Sequence, residues 1–129
     1  FSMARIHILL SRGTPLTRES AIEAVKLGRF FTGIDGIGDT DGFRFTAGEE
    51  SLGDEIAAAN VHQLNVFVPV TSRVVLIKNG AKIDERPATG EISFATDGAG
   101  VYRVEVYRDD LSEPFSLMPW IMSNPIYLR

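Results

Sequence analysis

The sequence predicts a mainly β fold, an antiparallel β-sandwich of about seven strands carrying a strand and helix at its N-terminus. Three observations carry this reading. From Phe30 onward the apolar residues recur at every second position, turn residues punctuate those runs at short intervals, and only the stretch from Leu16 to Gly28 is marked as a helix. The chain has 129 residues, the size of one ordinary domain built around a single core.

Taken in order, the elements have separate justifications. The residues around His7 read as a strand, and Thr17 then stands where a side chain can cap the free amides of a helix. Glu19 sits at the positive end of that helix, and Gly28 can take the left-handed conformation that stops it. Ala21, Ile22 and Val25 form its apolar stripe. Phe43 and Phe45 then alternate with Arg44 and Thr46. His62, Leu64, Val66, Val68 and Val70 share one face of the next run, with Gln63 and Asn65 on the other. In VVLIKNGAKI, Asn79-Gly80 supplies the two positive φ angles of a tight hairpin. Ile92 and Phe94 mark another short strand. GVYRVEVY places Tyr102, Val104 and Val106 inward, with Arg103 and Glu105 outward. In TDGAGVYRV an Asp-Gly turn precedes a tyrosine, a pattern resembling the corner tyrosine of immunoglobulin-like sandwiches, so the expected sandwich is Ig-like. Val104 stands where an antibody domain would carry its cysteine.

The C-terminal run PWIMSNPIYLR holds the only tryptophan and two prolines. Proline donates no ladder hydrogen bond, so this strand belongs at a sheet edge or breaks between Pro119 and Pro125. Alternation puts Trp120 and Met122 on one face and Ile121 on the other, then Ile126 and Leu128 together opposite Tyr127. A closure strand with Trp120 capping the core is the expected role.

Composition excludes several function classes. The chain is 44% hydrophobic and 23% charged, as globular domains are, and no apolar run approaches the roughly 18 residues of a membrane span. The net charge is -4 and the thirteen Lys and Arg are scattered, which argues against nucleic acid as a partner. There is no cysteine, hence no disulfide and no thiolate metal site. The chain starts at Phe1, which suggests a piece of a longer protein and leaves the compartment open.

The residue types that carry chemistry are sparse. The two histidines, His7 and His62, are far apart in the sequence, without a metal-type partner at helical spacing, and both read as hydrogen-bonded strand residues, His62 partly buried. Asp35, Asp39 and Asp41 in IDGIGDTDG invite a calcium reading, yet Ile37 and Gly48 occupy the first and last ligand places of an EF-hand register, so a solvated turn is expected. The Gly36-x-Gly38 pair fails as a dinucleotide fingerprint because Asp41 takes the third glycine place and strand-like residues follow. No nucleophile elbow exists. Glu49, Glu50, Asp54 and Glu55 surround Gly53 in what reads as a solvated polar connection. No catalytic, cofactor-binding or metal-ligating residue is assigned.

A resemblance adds to this. The run ESAIEAVKLGRFFTGID, the later LIKNG, the strand GVYRVEVY and the terminal PWIMSNPIYLR together resemble the C-terminal portion of bacterial PHP-domain proteins, the polymerase and histidinol phosphatase family of metal-dependent phosphoesterases. In that family a helix with a pattern like Ala24-Val25-Lys26-Leu27-Gly28-Arg29-Phe30-Phe31 follows the catalytic barrel, and a β-sandwich closes on a motif like Pro119 to Tyr127. The resemblance implies a division into residues 1–29, a strand and helix following the barrel, and residues 30–129, an accessory Ig-like sandwich. It implies a noncatalytic accessory domain that packs on the parent PHP barrel in cis. The divalent metals belong to the barrel and none of their ligands matches a residue here. The reading from another class is an independent Ig-like binding module for carbohydrate or protein, with Phe67, Tyr107 and Trp120 as an exposed aromatic platform.

Overall fold

The structure is a computed structural model and describes residues 4–129. It is mainly β, an antiparallel sheet that curls into a sandwich-like fold with one helix. Strand β1 (Ala4–Ile8) leads to helix α1 (Arg18–Lys26), and β2 (Phe30–Ile34) returns antiparallel to β1. Then come β3 (Arg44–Ala47), the two-residue strands β4 (Glu50–Ser51) and β5 (Glu55–Ile56), and the long pair β6 (Gln63–Lys78) and β7 (Ala81–Ala95). Strand β8 (Gly100–Tyr107), β9 (Pro119–Ser123) and β10 (Ile126–Leu128) complete the chain.

The sandwich arises because β6 serves two layers. Strand β7 lines one side of β6 over its whole length, while the other side pairs with β3 through Phe67 and with β8 from Arg73 onward. Between these ladders the register of β6 against β7 shifts from Val68 to Ser72, a bulge at which the strand turns from one layer to the other. Phe45, Leu64, Val66 and Phe94 from the first half meet Val74, Leu76, Val104, Val106 and Trp120 from the second in one buried cluster. The sequence segments around Val66 and Val75, and those around Ile83 and Ile92, are therefore two long bent strands rather than four short ones. Val70, expected on the core face, is exposed because the bulge interrupts the two-residue period there.

Several local expectations hold. Asn79 has φ +50° and Gly80 φ +84°, the two-residue hairpin turn between β6 and β7. Thr17 caps α1, its hydroxyl accepting from the Ser20 amide at 3.0 Å while Ser20 Oγ accepts from the Thr17 amide at 2.8 Å. Gly28, at φ +72°, ends the turn after the helix. Tyr102 is fully buried, its hydroxyl donating to Gly98 O at 2.8 Å and accepting from the Asp97 amide at 2.9 Å, which is the corner geometry its turn suggested. We expect Tyr102→Phe to cost about 1–3 kcal/mol, because it strands both backbone groups with little change in packing. Denaturant unfolding together with amide exchange at Asp97 would check this; unchanged protection there would show that the hydroxyl holds nothing.

Two expectations need correction. Of the stripe Ala21, Ile22 and Val25, only Ala21 is half-buried; Ile22 and Val25 are exposed, and Ala24 is the buried residue of α1. The helix lies on its small-residue side, where Ala21 and Ala24 allow a close approach to the chain, and its large apolar residues are left outward. Of the two readings of the C-terminal run, an edge strand or a strand that breaks between its prolines, the second holds, and the plain alternation expected of its residues is what needs correction. Strand β9 lies between β8 and β2, and β10 between β8 and β5, the latter pairing parallel. The break falls at Asn124-Pro125, between the two ladders. Tyr107 pairs with Pro119 and Val106 with Ile121, so Trp120 is the extra residue of a bulge. That irregularity lets both Trp120 and Ile121 be fully buried, where plain alternation would send Ile121 outward.

Candidate functional site

One polar constellation is built on β1, the terminal strand of the sheet order. Antiparallel pairing sets His7 of β1 opposite Phe31 of β2, and the His7 ring stacks on Phe31 with centroids 4.7 Å apart. Just past β2, Asp35 turns back to it: His7 Nε2 lies 3.1 and 3.2 Å from the two Asp35 carboxylate oxygens. The fully buried Thr40 completes the group, its Oγ1 donating to Asp35 Oδ1 at 2.8 Å and lying 3.0 Å from His7 Nε2. Gly33 makes room for it, since a Cβ there would come within 2.8 Å of the Thr40 side chain. Arg5 approaches the same carboxylate at 3.7 Å.

This arrangement ties β1 to the loop that follows β2. A hydroxyl–imidazole–carboxylate relay needs the carboxylate on one ring nitrogen and the hydroxyl on the other. Here both crowd around Nε2, and the buried hydroxyl is spent on Asp35. His7 is thus the hydrogen-bonded strand residue expected of it. Asp35, read from sequence as part of a solvated turn, is instead its half-buried partner. Only the β1–β2 register brings together residues 28 apart in sequence. Asp39 and Asp41 do form a turn, in which Asp39 Oδ1 accepts from the Asp41 amide at 2.9 Å. No group of three or more His, Cys, Asp or Glu converges among the described residues.

The remaining candidates disperse. His62 is exposed, ahead of β6 rather than in its core phase, and among the described residues only its carbonyl is engaged, by the Thr96 amide at 3.1 Å. The connection around Gly53 is solvated in part, with Glu49 and Glu55 exposed as expected, and packed in part, with Glu50 and Asp54 half-buried. Leu52 enters the core, Asp54 accepts from the Ser51 amide at 2.8 Å and from Arg29 at 3.4 Å, and Glu55 pairs with Arg129 at 3.2 Å. These carboxylates serve separate partners and do not form a general acid and base pair.

The aromatic platform is not presented. Trp120 is fully buried, its Nε1 donating to Gly38 O at 3.0 Å and its ring covered by Arg108 at 5.0 Å. Arg44 lies 4.4 Å over the Phe67 ring, and Arg73 lies 4.6 Å over Tyr107. Tyr107 also donates to Glu105 at 2.9 Å, and burial together with that carboxylate pushes its ionisation above the usual phenol range. Both half-buried rings are capped by guanidinium groups, a cover that sequence alternation does not reveal.

One concavity, of about 930 Å³, opens at the β6 corner, with Val68, Pro69, Val70 and Pro87 on its apolar side. Its rim is charged but self-neutralised. Arg73 is held by Asp109 at 2.8 and 3.1 Å and by Glu85, and Arg108 by Asp110 at 2.8 Å through two nitrogens. Those carboxylates hold both guanidiniums firmly protonated, and the guanidiniums in turn keep Glu85 and Asp110 below the usual carboxylate range. Every rim cation named here already has an internal carboxylate.

Exposed apolar side chains lie elsewhere, among them a set at the helix. Ile22, Val25 and Leu27 on and just after α1 are 45%, 46% and 43% exposed, and Leu16 before the helix is 74% exposed. Ile6 on β1, the terminal strand of the sheet order, is also outward. The fold and these surfaces define a mainly β, sandwich-like domain whose polar clusters are hydrogen-bonded internally and whose helix presents Ile22 and Val25 outward. Comparison with known proteins found no matching family model, no matching curated protein and no matching solved structure.

Proposed function

We propose that this chain is a noncatalytic accessory β-sandwich of a PHP-type metal-dependent phosphoesterase, and that it packs on and supports the catalytic barrel through α1. The observation that carries the reading is the outward pair Ile22 and Val25, one helical turn apart on α1, with Leu27 exposed just after the helix. Large side chains at helical spacing gain about 25 cal/mol for each Å² of apolar surface taken from water, and in the domain alone these remain in water. A second body laid on α1 collects that energy. The self-satisfied state of the His7 and Asp54 clusters supports the noncatalytic half of the reading.

Two measurements test it. The purified chain should hydrolyse neither a generic phosphomonoester nor a phosphodiester with manganese or zinc added; robust hydrolysis abolished by a chelator would overturn the noncatalytic assignment. The reading frame upstream of Phe1 should encode His-x-His and Asp-x-His metal motifs of a barrel, and an unrelated domain there would remove the parentage. Ile22→Glu combined with Val25→Glu should leave the unfolding free energy of the domain alone within about 1 kcal/mol, as is usual for exposed sites, and should abolish its co-purification with the barrel.

A further inference from the structure

Four asparagines precede, in turn, Val61, Val66, Gly80 and Pro125, so only Asn79 is followed by glycine. Asn79 and Gly80 are both exposed at the tip of the β6–β7 hairpin, and a Cβ built on Gly80 meets nothing within 4 Å. The ladder closes between Lys78 and Ala81, and the Gly80 N–H has no hydrogen-bond partner among the described residues. The carboxamide, by contrast, is engaged: Asn79 Oδ1 accepts from the Val101 N–H at 2.9 Å, while the Asn79 N–H donates to Val101 O at 2.9 Å. A free backbone nitrogen thus follows a carbonyl carbon whose oxygen is already polarised by a backbone donor. A donor of that kind stabilises the charge that develops on a carbonyl oxygen under attack.

We propose that Asn79 is a self-modification site, and that its rearranged product unlatches the β6–β7 hairpin from the start of β8. The Gly80 amide nitrogen bonds to Asn79 Cγ and loses its proton to solvent base, and the carboxamide nitrogen leaves as ammonia, closing a five-membered succinimide. Water then opens the ring at either carbonyl. Opening at the former main-chain carbonyl leaves the chain running through Cγ as isoaspartate; opening at Cγ leaves ordinary aspartate. The net change is asparagine plus water to a carboxylate plus ammonium, with no redox partner. Glycine favours the closure because no side chain crowds the attacking nitrogen. The ordinary aspartate product keeps an oxygen in place for Val101, whereas isoaspartate adds a backbone carbon to a two-residue turn whose φ angles are set at +50° and +84°. The turn then cannot hold its geometry, and both bonds to Val101 are lost.

The test is incubation of the folded chain in weakly alkaline buffer, followed by peptide mapping and labelling with an isoaspartate-specific methyltransferase. Conversion is expected at Asn79, before Asn60, Asn65 or Asn124, and the separated isoaspartyl form should show loss of amide-exchange protection at Val101, while Asn79→Asp keeps it. The site assignment is overturned if Asn79 stays intact in the folded chain over a time in which the denaturant-unfolded chain converts, or if another asparagine converts first. The unlatching is overturned if Val101 is as protected in the isoaspartyl form as in the parent.

Discussion

Replacing Trp120 by alanine should cost the domain about 3–5 kcal/mol, the range for emptying a large aromatic from a packed core. The side chain is fully buried among the residues of both layers, and its indole nitrogen ties β9 to the loop carrying Gly38. Against a total stability of roughly 5–15 kcal/mol for a domain of ordinary size, that loss leaves a marginal fold. Trp120→Phe retains most of the volume and gives up the bond to Gly38, for which about 1 kcal/mol beyond the packing change is expected. The tryptophan is the only one in the chain, so its own fluorescence disappears with it, and unfolding must be followed by circular dichroism. A midpoint in urea for Trp120→Ala close to that of the parent would show that the bulge at β9 is not a closure point.

The second large effect falls on a residue with no side chain. Gly53→Ala is expected to be among the most destabilising single substitutions in the chain. An added Cβ would sit 2.1 Å from Leu27 O and 2.8 Å from the carbonyl carbon of Gly28, both backbone atoms that cannot swing aside. The residue also has φ +84°, a conformation that costs a side-chain-bearing residue about 1–3 kcal/mol even in open space. Gly48→Ala is the control: φ is +64° there and nothing lies within 4 Å of the added carbon. The excess cost of Gly53→Ala over Gly48→Ala therefore isolates the steric term, and equal unfolding free energies for the two variants would refute the close approach.

What makes Gly53 so constrained is a junction of three segments distant in sequence. The Gly53 amide donates to Pro125 O at 2.8 Å, Asn124 Nδ2 donates to Gly28 O at 3.1 Å, and Leu27 presses from the end of α1. The Asn124-Pro125 break in the last strand is used here. It frees a carbonyl and an amide side chain to clamp the helix terminus to the β4–β5 connection. PWIMSNPIYLR is thus a clamp as well as a closure strand.

Some of this was legible in the residues themselves. The capped helix from Thr17 to Gly28, the Asn79-Gly80 hairpin, the Tyr102 corner and the inward set Phe43, Phe45, Leu64, Val66, Val104 and Val106 all follow from interactions a few residues long. Local conformational preference and the two-residue period specify such features from short stretches of sequence. What lay beyond reach depends on register between distant strands. His7 meets Asp35 only once β1 pairs with β2, the rings of Phe67 and Tyr107 are covered only when Arg44 and Arg73 fold over them, and Ile121 turns inward only because Trp120 is bulged. Ile22 and Val25 show the same division from the other side. Their spacing announces an apolar face, and periodicity states that such a face exists. Which body covers it is a matter of packing, and within this domain the tertiary structure turns Ala24 inward and leaves that face open.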